Sequence, residues 1–221
     1  GTAFWAHLLY FLVPANLFLY GVNDLADADT DRLNPKKDSR EHRLGASERG
    51  DLAIVVGVCA AAGVVLALAA PIGAHRALML AFLGLGALYS VPPARLKARP
   101  FLDSASNVLY AVPGFLGYVQ SAGALPPAAA LLGAASWTAA MHLFSAVPDI
   151  AADHEAGIRT TAVVLGARKA LLLCAALWVL ALGCLVILLP GRAIAWLAWV
   201  YPAICLALVP DPRPVERVYW A

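Results

Sequence analysis

Residues 23–31 read Asn-Asp-Leu-Ala-Asp-Ala-Asp-Thr-Asp and place four carboxylates directly after an apolar stretch that begins at Ala3. On an α-helix, residues three, four and seven apart share a face. That periodicity aligns Asn23, Asp27 and Asp31, with Asp24 beside them, and turns Asp29 toward solvent. A second pair, Asp149 and Asp153, repeats the four-residue spacing far downstream in a similar setting. Carboxylate oxygens suit hard cations, and Mg²⁺ typically takes one or two protein carboxylates plus water and substrate phosphate. Two such clusters facing each other would hold Mg²⁺ around a diphosphate. The expected metal set is therefore Asn23, Asp24, Asp27, Asp31, Asp149 and Asp153. A solvated, charge-rich loop at a membrane surface is the competing reading of either cluster alone; two clusters, both flanked by cations, favour the metal.

The basic residues follow the same logic, because Arg offers phosphate a bidentate fork and Lys a point charge. Lys36, Lys37, Arg40 and Arg43 come after the first acid cluster, Arg95 and Lys97 after Tyr89, and Arg159 after the second cluster. Each alone reads as a membrane-surface anchor. As a group they read as a diphosphate clamp, with Arg43, Lys97 and Arg159 preferred. Polar residues inside apolar segments are Asn16, Asn107, Gln120 and His142. Asn107 follows the Arg95/Lys97 loop, within reach of such a site. His142 lies two turns before Asp149, where a helix–helix hydrogen bond is preferred over a role in an acceptor pocket. Trp137 and Tyr110 are candidates to line a lipid-like cavity, although aromatic residues in spans usually serve packing.

The elements that carry these residues belong to a membrane. Of 221 residues, 62% are hydrophobic and 14% charged, with a mean hydropathy of +0.75; soluble domains carry about 25% charged residues. A span needs about 20 apolar residues. Seven segments approach that length: 3–22, 52–72, 77–91, 105–121, 127–147, 170–189 and 194–209, the third and fourth short and interrupted by Gly or Pro. Abundant Ala, Gly and Ser predict closely approaching helices, and no stretch alternates with the period of a barrel strand. The expected fold is thus all-α, a multi-pass transmembrane helix bundle. Cys59, Cys174, Cys184 and Cys205 all fall in apolar segments without a CxxC pairing and read as small core residues. Of the 16 Lys and Arg, all but Arg76 and Arg192 fall in one alternating set of loops, together with every Asp and Glu. Positive charge marks the cytoplasmic side, so both acid motifs are expected to face the cytoplasm, with Gly1 on the opposite side.

Asn23-Asp24-x-x-Asp27-x-x-x-Asp31 with Asp149-x-x-x-Asp153 resembles the paired signature of the UbiA superfamily of intramembrane prenyltransferases. Tyr89-Ser-Val-Pro-Pro-Ala-Arg-Leu-Lys97 resembles the family's Tyr/Lys loop, and Gly157-Ile-Arg-Thr-Thr161, ending in Leu165-Gly166, the usual sequel to the second motif. The order and spacing of all three agree across essentially the whole chain. Pro14-Ala-Asn16, Tyr20-Gly-Val-Asn-Asp24, Asn34-Pro-Lys-Lys37 and Phe101-Leu-Asp-Ser-Ala-Ser-Asn107 look most like the lycopene elongase branch.

The resemblance implies a nine-helix fold of which seven helices are visible, so residues 1–221 would form a single prenyltransferase domain lacking its first and last helices. It implies catalytic roles for Asp27, Asp31, Asp149, Asp153 and Tyr89, and substrate binding by Asn23, Arg43, Lys97, Arg159 and Asn107. The implied reaction transfers a prenyl group, with Mg²⁺, from an allylic diphosphate to a hydrophobic acceptor within the lipid bilayer. For a lycopene elongase the donor is dimethylallyl diphosphate and the acceptor an end of lycopene; aromatic quinone precursors and tetrapyrroles are rival acceptors. No nucleic-acid partner is expected. An ion-coupled transporter is a reading from another class, disfavoured because transporter acids sit near the bilayer midplane.

Overall fold

The computed structural model describes residues 2–28, 44–45, 47–192 and 194–220, all helix or connecting turn, with no strand among them. The helices are α1 (Thr2–Leu12), α2 (Pro14–Asp27), α3 (Arg49–Ala69), α4 (Gly73–Ser90), α5 (Leu102–Ala105), α6 (Val112–Ala122), α7 (Ala128–Ala146), α8 (Ile150–Glu155), α9 (Thr161–Leu165), α10 (Ala167–Leu188), α11 (Ile194–Leu197), α12 (Val200–Leu208) and α13 (Val215–Trp220). Short 3₁₀ turns occupy Leu96–Ala98 and Ser106–Ala111. Four helical stretches among the described residues are long and apolar enough to cross a membrane: Ala3–Asp27, Arg49–Ala69, Ala128–Ala146 and Ala167–Leu188. Many large apolar side chains point outward, including Trp5, Leu9, Ile54, Val58, Leu68 and Ile187. A bilayer, rather than the protein interior, is the apolar solvent that these side chains meet.

Of the remaining expected spans, 77–91 is covered as far as Ser90 by the unbroken α4, whereas the other two are broken, and proline explains the breaks. Segment 105–121 is a 3₁₀ turn over Ser106–Ala111 followed by α6, with Pro113 at the second position of that helix. Segment 194–209 divides into α11 and α12, with Pro202 in the first turn of α12. Proline brings no N–H, so it is tolerated at helix starts and interrupts a run elsewhere. Segment 3–22 is also interrupted, by Pro14 at the start of α2. There Asn16 Nδ2 donates to the carbonyls of Phe11 and Leu12, at 3.0 and 3.2 Å, satisfying acceptors released by the break.

The chain forms two compact units. One comprises Gly1–Arg95 and Val112–Leu125, the other Leu96–Ala111 and Pro126–Ala221. In the first, α2 runs along α3 and α4 over buried Phe18, Val22, Met79 and Phe82. Tyr10 Oη donates to the Cys59 carbonyl at 3.3 Å, and a methyl group at Gly63 would collide with the Tyr10 phenol, so the small residue sets this helix separation. His7, His75 and Gln120 form a polar triad inside this unit: His7 Nε2 lies 2.7 Å from His75 Nε2, and Gln120 Nε2 lies 3.1 Å from His7 Nδ1.

In the second unit, α7 lies along α10, and α10 along α12. Leu143, Leu171, Cys174, Trp178 and Cys205 are buried in its core. Gly133 permits the close approach of α7 and α10, because a methyl there would stand 2.9 Å from Cys184 Cβ. Trp137 meets Trp178 edge-on at 4.3 Å and Tyr201 at 4.9 Å, so it acts in packing. Tyr110 is exposed at 56%. All four cysteines are buried and unbridged.

Candidate active site

The first acid motif ends α2, whose last turn carries Asn23, Asp24 and Asp27. Helical continuity places these three on adjoining positions of one face, as the spacing predicts. Asn23 Oδ1 accepts a hydrogen bond from Ser90 Oγ at 2.9 Å, which ties the motif to the end of α4, one residue beyond half-buried Tyr89. Asp27 is buried, at 8% exposure, and Arg95 Nη2 donates to its Oδ1 at 3.1 Å. Asp31 and Arg43, as well as Asp29, lie outside the described residues.

Arg95 is the residue whose importance the sequence reading missed, having preferred Lys97 in the same loop. It follows the Pro92-Pro93 turn and adopts φ +38°, a left-handed conformation uncommon for a residue with a side chain. Arg95 Nε is buried and has no hydrogen-bond partner among the described residues. A buried unsatisfied donor costs about 1–3 kcal/mol, and an anionic oxygen would satisfy it.

In the second unit, Asp149 immediately precedes α8 and Asp153 lies one turn on, its N–H donating to the Asp149 carbonyl at 2.8 Å. The two side chains thus share one side of a short helix. Gly157, at φ +70°, ends that helix: Gly157 N–H donates to His154 and Ile158 N–H to Asp153, at 3.1 and 2.8 Å. This left-handed helix stop suits glycine, which has no Cβ to clash, and it reverses the chain toward Arg159. Arg159 is exposed, and Lys97, in the 3₁₀ turn of this unit, is half-buried. Thr160 caps α9, its Oγ1 accepting from Val163 N–H at 3.3 Å and donating to Asp153 Oδ2 at 3.4 Å.

Beneath that loop lies Asp103, wholly buried and not singled out by type or spacing. Its Oδ2 accepts from Thr161 N–H at 2.8 Å, and its Oδ1 accepts from the Thr161 hydroxyl. The same hydroxyl accepts from Phe101 N–H at 2.6 Å, at a residue held at φ +67°. His142 Nε2 lies 3.9 Å from Asp103 Oδ2, beyond hydrogen-bond distance. Asn107, expected to reach substrate, is buried and donates Nδ2 to the Asp103 carbonyl at 2.6 Å. A side chain locked onto its own backbone is a support for the loop.

Among the described residues, no three His, Cys, Asp or Glu side chains are grouped to hold a metal ion. The chemistry of Asn23, Asp24 and Asp27 nevertheless fits Mg²⁺: all three offer hard oxygens on adjoining helical positions. Asp149 and Asp153 offer the same donor type.

The chain resembles known proteins over most of its length. The model of the UbiA prenyltransferase family matches residues 1–211. A lycopene elongase/hydratase of Haloferax volcanii is 47% identical over 213 residues, covering 96% of this chain and 68% of that protein. A protein of the same name from Halobacterium salinarum is 43% identical, covering 96% and 75%. A UbiA homolog from Archaeoglobus fulgidus, solved with DMAPP and Mg²⁺, superposes with a TM-score of 0.73 at 26% identity, covering 95% of this chain and 76% of its own. With apolar helices suited to a bilayer and a family match that includes both acid motifs, the chain belongs to the UbiA prenyltransferase family and is an integral membrane enzyme that transfers prenyl groups.

Proposed function

We propose that this enzyme elongates lycopene, transferring a dimethylallyl group from dimethylallyl diphosphate in a Mg²⁺-dependent reaction at the cytoplasmic side of the membrane. The observation that carries the acceptor is the identity of 47% and 43% with two lycopene elongase/hydratases over nearly the whole chain. The observation that supports the donor is the UbiA homolog bound to DMAPP and Mg²⁺. Asn23, Asp24, Asp27 and Asp31 of one motif, and Asp149 and Asp153 of the other, are assigned as the oxygen ligands of the metal. Mg²⁺, when bound, supplies Lewis-acid neutralisation of the diphosphate.

The chain's own cations do the rest of the electrostatic work. Lys97, Arg159 and Arg43, joined by Arg95, hold the diphosphate and meet the negative charge that builds on it as the allylic C–O bond breaks. Tyr89 belongs to the same site as a phenol at the end of α4. Apolar helix walls exclude water from the allylic carbon, so that an electron-rich acceptor double bond reaches it first. The new C–C bond takes its electron pair from that double bond. The cation left on the acceptor is discharged by loss of a proton or by addition of water. The cytoplasmic assignment rests on the asymmetric distribution of Lys and Arg.

Expression of the full-length protein in a lycopene-producing host tests the proposal. C45 and C50 carotenoids are expected in the extracted pigments. Unchanged lycopene, together with prenylation of an added aromatic or tetrapyrrole acceptor by the same membranes, would move the enzyme to another branch of the family.

A further inference from the structure

Asp103 joins three elements that sequence keeps far apart. Lys97 precedes it by six residues, on the turn before α5. Thr161 stands two residues after Arg159, at the start of α9. His142 lies on α7. The carboxylate takes both the N–H and the hydroxyl of Thr161, and that hydroxyl also takes the N–H of Phe101. Phe101 is held in a left-handed conformation that a bulky residue adopts only under constraint. Asp103 is 0% exposed and Thr161 1%, so neither is a ligand-facing group. The preceding residue, Thr160, donates to Asp153 Oδ2. One buried carboxylate therefore fixes the segment carrying Lys97 and, through two adjacent threonines, the segment carrying Arg159 and Asp153.

We propose that Asp103 is a positioning residue for the donor diphosphate, with the Thr161 hydroxyl as its bridge, setting the Lys97 and Arg159 segments at the spacing that the diphosphate requires. The inference rests on the reading of Lys97, Arg159, Asp149 and Asp153 as donor-binding residues. Neither loop is regular enough to hold its cation by helical continuity: Lys97 lies in a three-residue 3₁₀ turn, and Arg159 lies between a helix stop and a helix cap. A long cationic side chain on such a segment has many rotamers to lose on binding. Anchoring the backbone at a desolvated carboxylate reduces that loss before the ligand arrives.

The test uses the purified full chain in detergent with Mg²⁺ and the unreactive donor analogue dimethylallyl S-thiolodiphosphate, read by equilibrium binding. Supporting partners of a site typically cost about 10–100-fold when removed, so Asp103→Asn and Thr161→Val are expected to raise the Kd by about tenfold. The number of sites per chain stays at the wild-type value; a lowered melting temperature with an unchanged Kd would mark residues that serve only the fold. Thr161→Ser keeps the hydroxyl and restores the native Kd. Asp149→Ala is measured beside them. If it abolishes binding while Thr161→Val and Asp103→Asn bind as wild type, the positioning role is overturned and the donor site stands. If Asp149→Ala binds as wild type, the donor-site reading fails and takes this inference with it. Should Thr161→Val aggregate, Asp103→Asn decides: a native Kd overturns the proposal, and a raised Kd at full stoichiometry supports it.

Discussion

Asp27 and Asp153 each belong to an acid motif, yet the protein holds them by different means. Asp27 ends a helix that runs from Pro14, and its direction follows from helix geometry, with Arg95 as a charged partner at 3.1 Å. Asp153 sits on a six-residue helix closed by a glycine turn, and a threonine cap touches its carboxylate. One motif inherits its placement from a long element; the other depends on hydrogen bonds to a loop. A regular helix transmits position cheaply, whereas an irregular segment must be fixed at each bend.

This contrast is open to attack at several points. The largest effect is expected at the acids themselves: Asp27→Ala or Asp149→Ala should lower Mg²⁺-dependent release of diphosphate from an allylic donor by at least about 100-fold. The protein should remain folded in membranes, and retained activity would contradict the metal assignment. Next in size is Arg95→Gln, which removes the charged partner of Asp27 and the unsatisfied Nε. A hydrogen bond to a charged group contributes about 1.5–3 kcal/mol, so the donor KM should rise roughly 10- to 100-fold. Arg95→Lys should recover little of it, because a point charge cannot replace the fork; full recovery would show that charge alone matters there.

A smaller effect sharpens the other side. Gly157→Ala places a Cβ at φ +70° and should cost about 1 kcal/mol locally, read as a several-fold rise in donor KM. The same substitution at Gly50, in the exposed first turn of α3 with open space around it, should leave KM unchanged and the melting temperature equal or higher. Equal responses at both glycines would mean that the loop does not position Asp153. Asp29→Ala should change least, since the helical face assigned to the motif omits it; complete loss of turnover would refute that face.

Much of this was legible in the residues. Asn23, Asp24 and Asp27 lie on adjoining helical positions because spacing alone decides that, and the apolar runs at 52–72, 127–147 and 170–189 correspond to long helices. Segments 105–121 and 194–209 misled because hydrophobicity does not register a missing N–H; Pro113 and Pro202 break the runs without making them less apolar. Arg95, grouped with the other cations but not preferred, and Asp103, not singled out, were underrated for a different reason. Their partners, Asp27 and Thr161, are 68 and 58 residues away, and no local pattern encodes such contacts. Asn107 looked like a ligand because a buried amide is conspicuous in sequence, whereas its bond to the Asp103 carbonyl is visible only once the 3₁₀ turn is known.

The proline-jointed stretch Ala3–Asp27 has 25 residues, a rise of about 37 Å at helical spacing, against a hydrocarbon layer about 30 Å thick. The surplus amounts to roughly a turn of helix, enough for a carboxylate end to stand in the headgroup zone. Under the proposed function, a donor with a water-loving head and an oily tail would meet its binding groups there without leaving the boundary it naturally occupies, so neither half of that molecule would have to be dragged into the wrong solvent.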